Sequence, residues 1–310
     1  MEKEIKAFAP ASVSNVACGF DIMGFALDQP GDIVTARFTK SPGVHIKRIH
    51  GISSAISTDP KENTAAAPVA ALLQRNGTRL GVELEIEKGV PVGGGIGSSA
   101  ASAVAAAVAC NALLNMCLSK EQLLPYAVEG EKIASEAVHV DNLSPSLWGG
   151  FVLVRGYHPI DVVQIQVPKS LWCTIVHPEI EIKTRESRKL LPKNVPLEDL
   201  ITQTGNAAGL IAGLLQEDYD LIARSLHDVV AEPARMHTIP GFEKMKSAAL
   251  RAGALGCSIS GSGPSLFALS RSEEIARGVG DAMSGVLDLI GCSHKTFVSN
   301  VCRTGARVIP

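Results

Sequence analysis

The segment from Pro91 to Asn111, PVGGGIGSSAASAVAAAVACN, combines residue types that bind anions. Glycines stand at Gly93, Gly94, Gly95 and Gly97, serines follow at Ser98 and Ser99, and eight alanines lie between Ala100 and Ala112. Glycine frees the backbone for left-handed angles and lets a ligand approach the main chain closely. The alanine run predicts a helix, which Ser98 or Ser99 can cap. A glycine loop that feeds a helix N-terminus leaves several N–H donors unpaired at the positive end of the helix dipole. Such a site binds anions, and in enzymes the anion is usually a phosphate.

Three phosphate loops can be tried against the segment. The P-loop needs a lysine directly after its last glycine, and no lysine lies between Lys88 and Lys120. Gly95, Gly97 and Ala100 spell the dinucleotide fingerprint G-x-G-x-x-A. The preceding strand, Val82 to Glu87, alternates apolar and acidic residues, whereas a doubly wound parallel sheet wants strands apolar on both faces. The third pattern, P-x-x-x-G-(L/I)-G-S-S-A, is met at every fixed position by Pro91, Gly95, Ile96, Gly97, Ser98, Ser99 and Ala100. In this the chain resembles the GHMP small-molecule kinases.

Two distant segments extend the resemblance. Pro10 to Gly24, PASVSNVACGFDIMG, is similar to the substrate motif of the homoserine kinase branch, with Val16-Ala17-Cys18 in place of its usual L-G-P. Ser260 to Ser265, SGSGPS, is similar to the third motif of the family. His139 to Phe151, then Thr184, Arg188 and Leu190-Leu191-Pro192, then Glu232-Pro233-Ala234-Arg235 before Ile239 to Phe242, resemble further motifs of that branch.

The resemblance implies an α+β chain of the GHMP kinase fold. Residues 1–168 are expected to form an N-terminal ATP-binding domain resembling ribosomal protein S5 domain 2. Residues 169–310 are expected to form a C-terminal ferredoxin-like α/β sandwich, with the active site between the two. The implied reaction is ATP-dependent phosphorylation of the side-chain hydroxyl of L-homoserine, a step of threonine biosynthesis. The alternatives are another GHMP kinase of mevalonate or sugar type, or a nucleotide-binding protein without kinase activity. In this reading the backbone of Pro91, Val92, Gly93, Gly94, Gly95, Ile96, Gly97, Ser98, Ser99, Ala100 and Ala101 cradles the phosphates of ATP, with the helix dipole standing in for a lysine. Mg2+ wants few protein oxygens. One hydroxyl from Ser98 or Ser99, Ser99 preferred, and one carboxylate suffice. Counting back eleven residues from Asn142, as the family pattern implies, selects Glu131, with Glu129 and Glu136 as neighbours that could replace it.

Homoserine carries a carboxylate, which suits the planar forks of Arg188 and Arg235. Asn15, Asp21, Asn142 and Thr184 are expected to line the amino-acid pocket, with Asp21 or Asn142 near the reacting hydroxyl. Asp21, Asn142 and Arg188 form the expected catalytic group. Because the phosphoryl-transfer transition state is loose, a strong general base is not obligatory. Asp141 is not assigned a catalytic role, and His139 and His177 are read as packing or hydrogen-bonding residues.

The surrounding elements must position these groups. Strands are expected at Ile5 to Pro10, Asp32 to Thr39, Gly43 to Ile49, Val82 to Glu87, Phe151 to Arg155, Val162 to Val167, Trp172 to His177, Cys257 to Ser260 and Ser265 to Leu269. Helices are expected at Glu62 to Asn76, after the glycine loop, and at Lys120 to Ile133, Leu197 to Leu215, Tyr219 to Val230, Gly241 to Arg251 and Glu273 to Ile290. The turn around Pro168 is the expected domain boundary. At 310 residues and 46% hydrophobic content the chain can bury a large core or two. A net charge of −2 and 4% aromatic residues give no electrostatic or stacking reason to expect nucleic acid or an anionic membrane. Seven scattered cysteines without C-x-x-C spacing fit reduced thiols. No apolar run reaches the length of a membrane span and the charged N-terminus shows no signal peptide, so a cytoplasmic protein is expected. The resemblance also implies a homodimer.

Overall fold

The computed structural model describes residues 3–52, 56–134 and 138–310. The first sheet is built from β1 (Glu4–Ser14), β2 (Met23–Thr39), β3 (Val44–Gly51), β4 (Gly81–Lys88), β5 (Phe151–Tyr157) and β6 (Ile160–Ile165). The second holds β7 (Trp172–Pro178), β8 (Gly256–Ile259), β9 (Leu266–Ser270) and β10 (His294–Asn300). The chain then returns to the first sheet, where β11 (Arg307–Ile309) pairs antiparallel with β1.

Strand β2 organises the first sheet. Its far half pairs with β4 from Ile33 to Thr39, and its near half pairs with β5 from Met23 to Phe25. The alternation in β4 has the expected consequence: Val82, Leu84 and Ile86 are buried while Glu83, Glu85 and Glu87 are not. The buried face is covered by α1 (Ala66–Asn76), α2 (Ser98–Leu113), α3 (Lys120–Ala134) and α4 (Val140–Trp148). Helix α2 runs through the core and is buried continuously from Ala100 to Cys110. Small alanine side chains let the neighbouring elements approach it on every side.

The C-terminal half adds α5 (Thr184–Lys189), α6 (Leu197–Gln216), α7 (Tyr219–Ser225), α8 (Ala231–Arg235), α9 (Phe242–Arg251) and α10 (Glu273–Leu289). Its strand order, β10-β7-β9-β8, is the 4-1-3-2 arrangement of a ferredoxin-like sheet. The two sheets share a core. Phe25 of β2 stacks on Phe151 of β5 at 4.6 Å and meets Phe267 of β9 edge-on at 5.9 Å, geometries that aromatic quadrupoles favour. This joint fixes the two halves around the cleft.

Several elements differ from the sequence expectation. Residues 219–230 do not form one helix: α7 ends at Ser225, and Asp228 starts α8 by accepting the N–H of Val230, Ala231 and Glu232 at 2.8–2.9 Å. Helices α4 and α5 and strands β10 and β11 were not expected as elements. All seven cysteines are free, and five of them are buried. No helix among the described residues is long and apolar enough to cross a membrane.

Candidate active site

The residues of the glycine loop enter α2 through Gly97, whose φ of 68° is left-handed. Gly97 is the N-cap, which corrects the expectation that Ser98 or Ser99 would cap the helix. A side chain at Gly97 is excluded by space as well as by angle: a Cβ would lie 2.1 Å from Ser12 Oγ and 3.0 Å from Asn142 Oδ1. At Gly95 a Cβ would lie 2.5 Å from the carbonyl oxygen of Ser260. The loop is thus pressed between the N-terminal motif, α4 and the SGSGPS turn. Among the described residues, no acceptor takes the backbone N–H of any residue from Gly93 to Ala100. A row of unpaired donors at the start of a helix is an anion cradle.

Both serines of the first turn use their hydroxyls elsewhere. Ser98 Oγ donates to the Val90 carbonyl at 3.1 Å, and Ser99 Oγ donates to Glu131 Oε2 at 3.0 Å. Glu131 is buried on α3, and its other oxygen accepts from His139 Nδ1 at 2.9 Å. Burial works against protonation of this imidazole, but the hydrogen bond and charge of Glu131 outweigh it and raise the His139 pKa. Glu129, by contrast, is only half-buried and is paired with Lys132. Glu136 lies outside the described residues. Behind α2, Lys88 reaches the Ser98 carbonyl at 3.0 Å and Ser102 Oγ at 2.8 Å, and is ion-paired to buried Asp32.

Beyond Ser12, the N-terminal motif turns through Asn15 and Asp21, both with positive φ (67° and 57°). Asn15 makes this turn rigid: its Oδ1 accepts the Asp21 N–H at 2.9 Å, and its Nδ2 donates to the Gly261 carbonyl at 2.7 Å. Asp21 receives a two-point fork from Arg188 of α5, both contacts at 2.8 Å. Asn142 donates to Ser14 Oγ at 2.9 Å and accepts from Ser12 Oγ at 3.0 Å. Thr184 Oγ1 lies 3.3 Å from Ser262 Oγ.

Arg235 differs from Arg188. It is buried, its Nε and Nη1 donate to the carbonyls of Ser187 and Gly261 at 3.3 Å, and its guanidinium lies 5.0 Å from the Phe20 ring centroid. Among the described residues it has no ion-pair partner. Burial, and secondarily the charge of Arg188, lower its pKa to about 10, so it stays charged at neutral pH.

One cavity of about 320 Å3 brings these groups together. Its lining includes Val92, Gly93, Gly94, Gly95, Gly97, Ser98, Ser99 and Glu131 together with Asn15, Asp21, Asn142, Thr184, Arg188 and Arg235. Pro91, Ile96, Ala100 and Ala101 are buried behind the loop and reach the cavity at most through their backbone. Sequence reasoning missed Phe20, whose ring lies under both Arg188 and Arg235, as well as Ser12, Ser14 and the Lys88–Asp32 pair. Phe20 stood within the matched N-terminal motif; Lys88 and Asp32 carried no local signal.

Two family descriptions match the chain and make it a GHMP kinase. The description "GHMP kinases N terminal domain" matches residues 63–150, and "GHMP kinases C terminal" matches residues 210–288. A homoserine kinase of Chlorobium phaeobacteroides is 47% identical over 99% of this chain and 100% of its own length. One of Chlorobaculum tepidum is 46% identical over 99% and 98%. The crystal structure of homoserine kinase from Cytophaga hutchinsonii superposes with a TM-score of 0.96 at 48% identity, covering 100% of this chain and 98% of that one. The chain belongs to the homoserine kinase family.

Proposed function

We propose that this protein transfers the γ-phosphoryl group of ATP to the side-chain hydroxyl of L-homoserine, giving ADP and O-phospho-L-homoserine, a step from aspartate toward threonine. The observation that carries this reading is Arg235, a buried guanidinium without a carboxylate partner that shares one cavity with the unpaired N–H groups of the glycine loop. Buried charges are normally paired. A cleft with an anion cradle at one side and an unanswered arginine fork at the other suits a phosphate donor and a carboxylate-bearing acceptor.

In this reading the N–H groups from Gly93 to Ala100 hold the phosphates, and Arg235 binds the acceptor carboxylate. Asn15, Asn142 and Thr184 complete the acceptor pocket. Asp21, held by Asn15 and Arg188, faces the reacting hydroxyl and accepts its proton as the new P–O bond forms. Arg188 offsets charge developing on the transferred group. Ser99 and Glu131, adjacent and oxygen-bearing, fit Mg2+ at the edge of the cradle. When bound, Mg2+ neutralises charge on the phosphates. The homodimer and cytoplasmic setting implied by the family resemblance belong to the same proposal, and light scattering on the purified chain checks the first.

The test is coupled detection of ADP from MgATP with L-homoserine, mevalonate, galactose or L-threonine as acceptor. Homoserine is expected to give the highest kcat/KM; a rate with homoserine at the no-acceptor background rejects the reading.

A further inference from the structure

Behind the glycine loop, on residues that do not line the cavity, a chain of hydrogen bonds ends on the loop itself. Ser265 Oγ donates to the carbonyl oxygen of Gly94. A hydroxyl has one proton, so with that proton committed Ser265 can only accept from its other neighbour. That neighbour is His177 Nδ1 of β7, 3.1 Å away. His177 must therefore carry its proton on Nδ1. The ring also packs against the loop backbone: a Cβ on Gly94 would lie 3.3 Å from both Cε1 and Nδ1. His177 and Ser265 are buried, and burial lowers the His177 pKa, which keeps the ring neutral.

The adjacent peptide is held in the same manner, since Ser260 Oγ donates to the Gly95 carbonyl at 2.7 Å. Two consecutive carbonyls are thus drawn toward the SGSGPS turn. In a planar trans peptide the C=O and the following N–H point in opposite directions. The N–H groups of Gly95 and Ile96 are thereby turned away from that turn.

We propose that His177 is a positioning residue for the phosphoryl donor: acting through Ser265, it fixes the Gly94–Gly95 peptide so that the Gly95 N–H faces the phosphates. Without a donor at Nδ1 the Ser265 hydroxyl is free to rotate, and the Gly94 carbonyl loses its anchor. The proposal rests on the reading of the loop as a phosphate cradle.

Calorimetric titration of the full chain with ADP, and with adenosine as the probe lacking phosphates, tests it. Replacing His177→Leu removes the donor at similar size and is expected to weaken ADP about tenfold, the loss typical of one hydrogen bond to a charged group, while adenosine is unchanged. His177→Asn places an amide N–H near the Nδ1 position and is expected to stay within about threefold of wild type. Ser265→Ala is expected to reproduce the loss, and the double variant to add nothing further. Wild-type affinity in His177→Leu, a His177→Asn as weak as His177→Leu, or parallel losses for ADP and adenosine overturns the proposal. So does a nitrogen NMR spectrum of the unsubstituted protein that places the His177 proton on Nε2, a readout independent of any variant. A wild-type protein that binds ADP no more tightly than adenosine instead overturns the cradle reading beneath it.

Discussion

Arg188 grips Asp21 with both prongs of its guanidinium, Nη1 on Oδ2 and Nη2 on Oδ1, each at 2.8 Å. The pair joins α5 of the C-terminal unit to the N-terminal motif across the cleft. Three further contacts hold the same turn: the Asp21 N–H on Asn15, the Asn15 amide on Gly261, and the Tyr157 hydroxyl, which donates to the Asp21 carbonyl at 2.6 Å. Burial opposes the charge of Arg188, yet Asp21 more than offsets this and raises its pKa. In the proposed reaction these contacts hold the carboxylate in place before the acceptor binds, as in a preorganised site.

Asp21→Asn keeps the shape of the turn but removes the charge and the proton acceptor. The expected result is a fall in kcat of about 100-fold or more, with the KM for ATP within about threefold of wild type. Steady-state kinetics check this; an unchanged kcat removes Asp21 from the chemical step.

Arg235→Ala is expected to raise the KM for homoserine by about 10- to 100-fold, the cost of one charge-assisted fork. The KM for ATP should change little. Arg235→Lys should recover only part of the loss, because an ammonium cannot pair a carboxylate bidentately. Equal effects on both substrates would remove Arg235 from the acceptor pocket.

Ser99→Ala and Glu131→Gln are each expected to raise the Mg2+ concentration needed for half-maximal rate by about tenfold, a loss of the order of 1.4 kcal/mol. Glu129→Gln is the control, since Glu129 does not line the cavity and pairs with Lys132; its Mg2+ dependence should match wild type. A metal titration of all three variants decides between the carboxylates.

Asp141 is fully enclosed, and among the described residues its Oδ1 has no hydrogen-bond partner. Burial pushes its carboxyl up to about 7, with His139 pulling it down and Asp21 pushing it further up. In the unfolded chain the group titrates near 4, so the folded state holds the proton more tightly across the interval between. Its contribution is therefore fully present below about pH 4 and is lost as pH rises toward 7, with a slope of up to about 1.4 kcal/mol per pH unit. Asp141→Asn should flatten this part of the stability profile and gain most, relative to wild type, above pH 7. Urea unfolding at pH 5, 6, 7 and 8 measures the slope; parallel profiles for the two proteins contradict it.

Much of this fold is legible because local and global signals agree. The alanine run of α2 and the alternation of β4 each mark an element whose burial follows from its own residues. Glu131 lies outside the motif that begins at His139 and is reached only by counting back eleven residues from Asn142, as the family resemblance implies. Other features depend on partners far along the chain. Helix α4 contains Asp141, Asn142, Ser144, Pro145 and Ser146, poor helix formers that are retained because Asn142 reaches Ser12 and Ser14 while Ser146 reaches the Pro10 carbonyl. Strand β11 has no pattern of its own and exists through pairing with β1 at the opposite end of the chain. The choice of Gly97 over a serine as the α2 cap was hidden for the same reason, because the atoms that exclude a side chain there belong to residues 12 and 142. The break between α7 and α8 comes from Asp228, a cap inside what reads as continuous helix.

Phosphorus NMR of the product observes directly which atom receives the phosphoryl group. With MgATP, L-homoserine and the purified chain, the expected result is a new phosphomonoester resonance split into a triplet by the two protons of the adjacent CH2, growing in step with ADP. ADP accompanied only by inorganic phosphate, or no phosphomonoester signal above the enzyme-free control, would contradict it.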